Sequence, residues 1–314
     1  MNKFTISATS DRLWNRNNLL EFLIANQHQQ IELTLNPEAI CLRNLGVYDL
    51  LDLFKFEAVH IHTWNPLEQH NKYHIHLKGS NFWFTRTAKI DPALHDWDLS
   101  RRFLCFYHRP TAARLGLAGY LKQQYPQHTI VHFSTTTGPN DLAQFEFDKL
   151  LDYDVPSVAP AVQILKKLPL LQNNPSGYTA TQGYFYNDTL TKMYKHTLVD
   201  IVVESHVAGN TFFPTEKTVR AILLKRPFVI FGSCNYLEYL RQMGFRTFSD
   251  FWSEDYDGYV AGDRLRRMYQ TIDIVANATE RQLEKMYWDM QYTLDHNYDL
   301  LMTQSYNRTI KEIT

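Results

Sequence analysis

Leu198-Val199-Asp200-Ile201-Val202-Val203-Glu204, a loop, Pro214-Thr215-Glu216-Lys217-Thr218, and then Pro227-Phe228-Val229-Ile230-Phe231-Gly232 form the stretch on which the fold turns. The first run is almost continuously apolar, as a strand buried on both faces of a parallel sheet is, and the third is another such strand closed by glycine. Between them Thr215 to Leu224 reads as a helix, opening on a threonine able to cap its first turn. Strand, loop, helix and strand in this order define a parallel α/β unit. They put Glu204 and the Thr215-Glu216-Lys217 run at the carboxyl edge of the sheet, where ligands of such sheets bind.

Working upstream, Arg102 to Tyr107 reads as a strand, Pro110 to Gln124 as a helix and Thr129 to Phe133 as the next strand. That is one crossover unit of a parallel sheet. Pro156, Pro160, Pro169 and Pro175 punctuate residues 134–190, which predicts long loops with short helices. Near the amino terminus, strands are expected at Phe4 to Ile6, Ile31 to Leu35, Ala58 to Trp64 and Tyr73 to Leu77, with helices at Leu13 to Ala25 and Val47 to Phe54. The polar, proline-bearing run Asp91 to Asp98 marks a boundary. The fold class expected is α/β, with two Rossmann-like domains, one at 1–98 and one at 99–314 that ends in a long helix from about 279.

Thirty-two basic side chains against 33 acidic ones leave a net charge of −1, which excludes a global field for recruiting a polyanion. No apolar window approaches the roughly 18 residues of a membrane span, and the start of the chain lacks a signal-peptide pattern, so the expectation is a cytoplasmic protein with no membrane span. Cys41, Cys105 and Cys234 each lie in an apolar run, far apart in sequence, and read as buried free thiols.

The chemistry converges on the 204–217 block. A helix amino terminus presents free N–H groups and partial positive charge to an anion, and Lys217 adds a full cation for a diphosphate. Glu204 or Glu216 can accept paired hydrogen bonds from ribose hydroxyls. A structural reading stands beside this one: Thr215 caps the helix and Glu216 favours its first turn.

The pattern Glu204-Ser205, loop, aromatic-x-Thr215-Glu216-Lys217, helix, Pro-Phe-Val-Ile-x-Gly resembles the donor site of the α1,3-fucosyltransferase-like glycosyltransferases, and covers about residues 200–257. The Thr215-Glu216-Lys217-Thr218 block followed by Gly244-Phe245-Arg246-Thr247-Phe248 also resembles phage-encoded relatives of that type. The resemblance implies a GT-B-like arrangement, with an acceptor-side domain at 1–98, a nucleotide-sugar-binding domain at 99–314 and a cleft between them, a nucleotide-sugar donor and metal-independent sugar transfer to a hydroxyl of a glycan or of a hydroxymethylated base in phage DNA. It assigns Glu204, Ser205, Thr215, Glu216 and Lys217 to the donor, with Arg114 or Arg109, in Phe106 to Arg114, as the arginine reaching the donor phosphates. Ser205 departs from the family, where asparagine is usual. The alternative is a non-catalytic nucleotide- or glycan-binding protein of phage origin.

An inverting transferase needs a general base for the acceptor hydroxyl. Glu68, on the loop after the Ala58 to Trp64 strand, is the first candidate, with Asp49 and His62 behind it. Asp152-Tyr153-Asp154 and Asp255-Tyr256-Asp257 have the form of metal-holding carboxylate pairs but read as solvated turns. His60-x-His62 and His74-x-His76, each with two imidazoles on one strand face, read as polar faces of half-buried strands, so no metal or other cofactor is expected. A DNA acceptor needs a local basic face, for which Lys166-Lys167 and Arg264, Arg266 and Arg267 are the candidates.

Overall fold

The computed structural model describes residues 1–8, 14–36, 40–78, 95–98, 100–133, 140–168, 170 and 193–313. It is an α/β protein with two four-stranded parallel sheets. The chain divides into two compact units, one formed by Met1–Phe82, Ser205–Pro214 and Gly232–Tyr236, the other by Trp83–Glu204, Thr215–Phe231 and Leu237–Thr314.

The first unit is built on β1 (Asn2–Ser7), β2 (Gln30–Asn36), β3 (Ala58–Thr63) and β4 (His74–Leu77), adjacent in that order and all parallel. Helix α1 (Arg16–Ala25) joins the first pair and α2 (Val47–Asp52) the second. When strand order runs in one direction, right-handed crossovers all fall on one face of the sheet. The burial follows that rule: Ile31, Leu33, Leu35, Val59 and Ile61 pack with Leu19, Leu23, Val47 and Leu51 in the core. The intervening Glu32, Thr34, His60 and His62 point the other way and keep contact with solvent. Gly46, with φ +72°, opens α2 in the left-handed region that glycine enters at little cost.

Residues 205–214 are tied into this unit by Asn65, which is 1% exposed. Its amide nitrogen donates to the Asn210 carbonyl (2.8 Å) and its oxygen accepts from the backbone N–H of Phe212 (3.3 Å) and Leu67 (3.2 Å). Gly209 at φ +73° lets the segment turn beside Asn44, whose side chain would lie 2.5 Å from an added Cβ.

The second unit holds β5 (Arg101–Tyr107), β6 (Thr129–Phe133), β7 (Thr197–Val203) and β8 (Phe228–Phe231), all parallel in the order β6-β5-β7-β8. Every residue of β7 and β8 is buried, as the apolar runs dictated. Around the sheet lie α3 (Ala112–Gln124), α4 (Asn140–Asp152), α5 (Val158–Leu165), α6 (Glu216–Leu223), α7 (Tyr236–Gln242), α8 (Ala261–Asn277) and α9 (Glu280–Ile313). Helices α3 and α5 approach closely at Gly119, where an added Cβ would sit 2.9 Å from the Ala161 backbone nitrogen.

Within 134–190, the 13 residues of α4 are longer than the short helices expected, because residues 140–155 contain no proline to stop them. Pro160 stands in the first turn of α5, where its missing N–H costs no helix bond. Residues 134–139, 169 and 171–190 of that region, and residues 91–94 of the expected boundary segment, lie outside the described residues. Cys41 and Cys105 are buried free thiols and Cys234 is partly exposed. Among the described residues no helix is long and apolar enough to cross a membrane.

His132 on β6 is fully buried and stacks on Phe106 with ring centroids 4.6 Å apart. Burial, then the charges of Arg220 and His108, push its pKa down to about 4. The unfolded chain takes up this proton near pH 6.5 and the folded chain only near 4, so stability falls as pH drops through that window, by at most about 3 kcal/mol from this residue. Urea midpoints of the wild type and of His132→Asn, measured from pH 7 to 4, should show the variant with the shallower loss; equal slopes would contradict the assignment.

Candidate functional site

Strand order in the second unit reverses between β5 and β7, since the chain goes from β5 outward to β6 and then returns to the other side of β5. Connections leave the two strands in opposite directions at such a point, opening a crevice beyond their carboxyl ends. The turn after β5 and the residue after β7 both lie there. Arg114, on the first turn of α3, joins them: its Nη1 donates to the Arg109 carbonyl (3.0 Å) and its Nη2 to that of Val203 (3.1 Å). Its guanidinium lies over the Tyr107 ring at 5.7 Å and is 5% exposed, and its Nε has no hydrogen-bond partner among the described residues. Burial depresses its pKa, while Tyr107, Glu216 and Glu204 act in the opposite direction.

Glu204 follows β7 and is 2% exposed. One carboxylate oxygen accepts from the Thr215 backbone N–H (3.0 Å) and the Thr218 hydroxyl (2.6 Å), the other from the Thr215 hydroxyl (2.5 Å). The carboxylate thereby fastens the amino terminus of α6 to the end of β7. Thr215 is the cap of that helix and its Oγ1 accepts from the Lys217 N–H at 3.4 Å. The Lys217 ammonium donates to Thr215 Oγ1 (3.0 Å) and to Glu216 Oε1 (2.8 Å), and both side chains of this pair are only 10% exposed. Burial acts to raise the Glu216 carboxyl, but Lys217 and Arg220 outweigh it and hold it below the ordinary carboxylate value. His108, half-buried in the turn after β5, is depressed by burial and by Arg109, Arg114 and Lys217.

Arg114, Glu204, Thr215, Glu216 and Lys217 thus belong to one electrostatic cluster at the switch point. Arg109 is exposed and joins it through its carbonyl oxygen. Ser205 is exposed and belongs to the first unit. Thr218 and His108 complete the cluster. Thr218 lies one helical turn beyond Thr215, so its position was foreseeable, whereas nothing in the sequence brings His108 to Lys217.

In the first unit Glu68 is 8% exposed. Its Oε1 accepts from the Tyr48 hydroxyl (2.7 Å) and its Oε2 from the Leu42 N–H (3.0 Å) and the Asn65 amide (3.3 Å). It lines a polar pocket of about 580 Å³ with Asn65, His70, Tyr73, His74 and His76. Asp49 is exposed on α2, and His62 lies on the open face of the sheet, 3.6 Å from Glu32.

Both carboxylates of Asp255-Tyr256-Asp257 are matched by arginines: Asp257 by the buried Arg264 at 2.6 Å, and Asp255 by Arg267. Asp257 also caps α7 by accepting from the Leu237 N–H at 2.8 Å. Arg266 pairs with Asp263 at 2.8 Å. Arg264, Arg266 and Arg267 are therefore neutralised one by one and do not make a basic face. Among the described residues no group of three or more His, Cys, Asp and Glu side chains is placed to hold a metal ion. No protein-family model, curated protein or solved structure matches the chain.

Replacing Glu204 by glutamine puts an amide nitrogen among donors that need an acceptor. Glu204→Gln should lose about 2 kcal/mol of stability in urea unfolding, the scale of a buried charge-assisted contact. An unmoved midpoint would show that the carboxylate does not hold the helix.

Proposed function

We propose that the second unit binds a nucleoside diphosphate sugar at the cluster around Glu204 and Lys217, and that the protein transfers the sugar to an acceptor hydroxyl without a metal. One observation carries the proposal: a capped helix amino terminus with a buried lysine, and an arginine whose Nε lacks a partner among the described residues, meet at the switch point of a parallel sheet. In this reading Lys217, Arg114 and the N–H groups of α6 receive the diphosphate. Glu204 is committed to Thr215 and Thr218 and serves as the positioning residue, which leaves Glu216 as the acceptor for the ribose hydroxyls.

Transfer is a displacement at the anomeric carbon. The acceptor oxygen bonds to that carbon as its bond to the diphosphate oxygen breaks, the electron pair leaves with the diphosphate, and the acceptor proton goes to a general base. The cations then stabilise charge that grows on the leaving group. A glycan or a small hydroxylated molecule is the favoured acceptor over DNA, because the expected basic residues of 264–267 are paired with carboxylates.

One observation favours a second reading, nucleotide or glycan binding without turnover: both oxygens of Glu68, the first candidate base, are engaged by protein donors. Melting temperatures measured with UDP, GDP, CMP and dTDP should rise for at least one nucleotide. Lys217→Ala should weaken that nucleotide's binding about 10-fold or more, the loss of about 1.5–3 kcal/mol expected for a phosphate cation. Binding that survives the change would sink the donor-site assignment. Donor hydrolysis or transfer by the wild type, assayed with the corresponding nucleotide sugars, separates the enzyme from the binder.

A further inference from the structure

Strand β4 is an edge strand of four residues, paired with β3 on one side only. Of its side chains Ile75 packs against the core, next to Tyr73 just ahead of the strand, and the opposite face is held by imidazoles. The parallel register pairs His60 with His74 and His62 with His76. Residues two apart on a strand share a face, so all four rings project from the same side. His60 and His74 stack with centroids 4.8 Å apart, His62 and His76 do the same at 4.8 Å, and His60 also stacks on His76 at 5.3 Å. His60 Nδ1 and His76 Nε2 meet head-on at 3.0 Å, so the N–H of one ring donates to the bare nitrogen of the other.

Such a contact has room for a single hydrogen. The pair accepts a first added proton at an outer nitrogen with the bond intact, and a second only by setting two N–H groups head to head. Stacked rings at these distances also repel once both are charged, well within the range over which salt leaves charges unscreened. The groups around the ladder do little to offset this. Glu32 on β2 has one oxygen 3.6 Å from His62 Nε2, but its other oxygen holds Lys3 of β1 at 3.0 Å, and Lys78 beyond β4 adds a positive charge that acts on both Glu32 and His62. Ahead of β4, Lys72 and Tyr73 donate to Asp52, and His70 Nδ1 accepts from the Lys72 N–H at 3.1 Å, so the carboxylate there is already engaged. Burial holds His62 below the ordinary imidazole value; Glu32 acts against it, and His76, Lys78 and His60 act with it.

We propose that the histidine ladder is an acid-operated latch: with neutral rings it clasps β4 to β3, and when the rings charge together it pushes the edge strand away and opens the polar pocket that His74, Ile75, His76 and Leu77 wall beside Glu68. Imidazole in the open chain takes up its proton near pH 6.5, roughly, whereas the clasped ladder resists a full set of protons. The open form therefore binds more protons, so the clasp is complete above that pH and is lost as pH falls below it. Release stays local because no strand lies beyond β4, while β3 keeps its pairing with β2. The latch does not rest on the nucleotide-sugar reading, since every residue it uses lies in the first unit.

Hydrogen–deuterium exchange of the full chain, read as protection relative to the intrinsic exchange rate at each pH, tests it. Peptides covering β4 should lose protection at least tenfold between pH 7.5 and pH 5.0, reversibly, while peptides covering β1 and β2 keep theirs. In 0.5 M sodium chloride the midpoint of that loss should move to lower pH, because salt screens the repulsion between the rings. Asparagine does not titrate, so the fourfold variant His60→Asn/His62→Asn/His74→Asn/His76→Asn should hold the protection of β4 level across the same range. The salt measurement uses the wild type alone and decides the matter even where the fourfold variant starts unprotected at pH 7.5. Protection of β4 that survives pH 5.0 in the wild type, a midpoint indifferent to salt, or an equal loss in the fourfold variant would overturn the proposal.

Discussion

A carboxylate buried at the end of a buried strand is costly unless every oxygen finds donors. Glu204 finds them in the next helix: the Thr215 N–H, the Thr215 hydroxyl and the Thr218 hydroxyl. The arrangement of the switch point follows from this contact. Because Thr215 is held by Glu204, α6 starts at a fixed place; because α6 starts there, Lys217 and Glu216 emerge beside Arg114 and the turn after β5. Between Glu204 and Thr215 the chain leaves to join the first unit for residues 205–214, so the contact also fixes both ends of that excursion.

Each sheet is parallel within itself, and the two differ in strand order. In the second unit the order β6-β5-β7-β8 reverses once, the kind of point at which parallel sheets bind ligands, and side chains from three separate segments of sequence gather there. In the first unit the order β1-β2-β3-β4 never reverses, so crossovers fall on one side and the other is left to Glu32, Thr34 and the four histidines. The former is where the proposed phosphate-bearing ligand would bind. The latter is an open polar surface on which neighbouring strands bring identical groups into register.

Glu68 shows what a loop position leaves out. A glutamate following a strand at a sheet edge has the placement of a catalytic base, and the structure adds that it accepts from Tyr48, Leu42 and Asn65. Asn65, two residues beyond β3, links the β3 loop to residues 210–212. Both roles depend on partners up to 147 positions away, which no local pattern announces.

Local chemistry was enough to place most strands and helices, because buried parallel strands must be continuously apolar and helices must repeat their apolar positions every three to four residues. It was also enough to pick out Thr215, Glu216 and Lys217, since a cap and a charged first turn are properties of neighbours in sequence. Strand order was beyond it: β5 lies between β6 and β7 through backbone pairing that carries no signature in either strand. The tertiary structure alone therefore decided that Arg114 meets Glu204's strand, that Arg264, Arg266 and Arg267 are each matched by a carboxylate, and that two His-x-His pairs stand side by side. Such contacts join residues by geometry across strands and helices, and a linear pattern records only what is close along the chain.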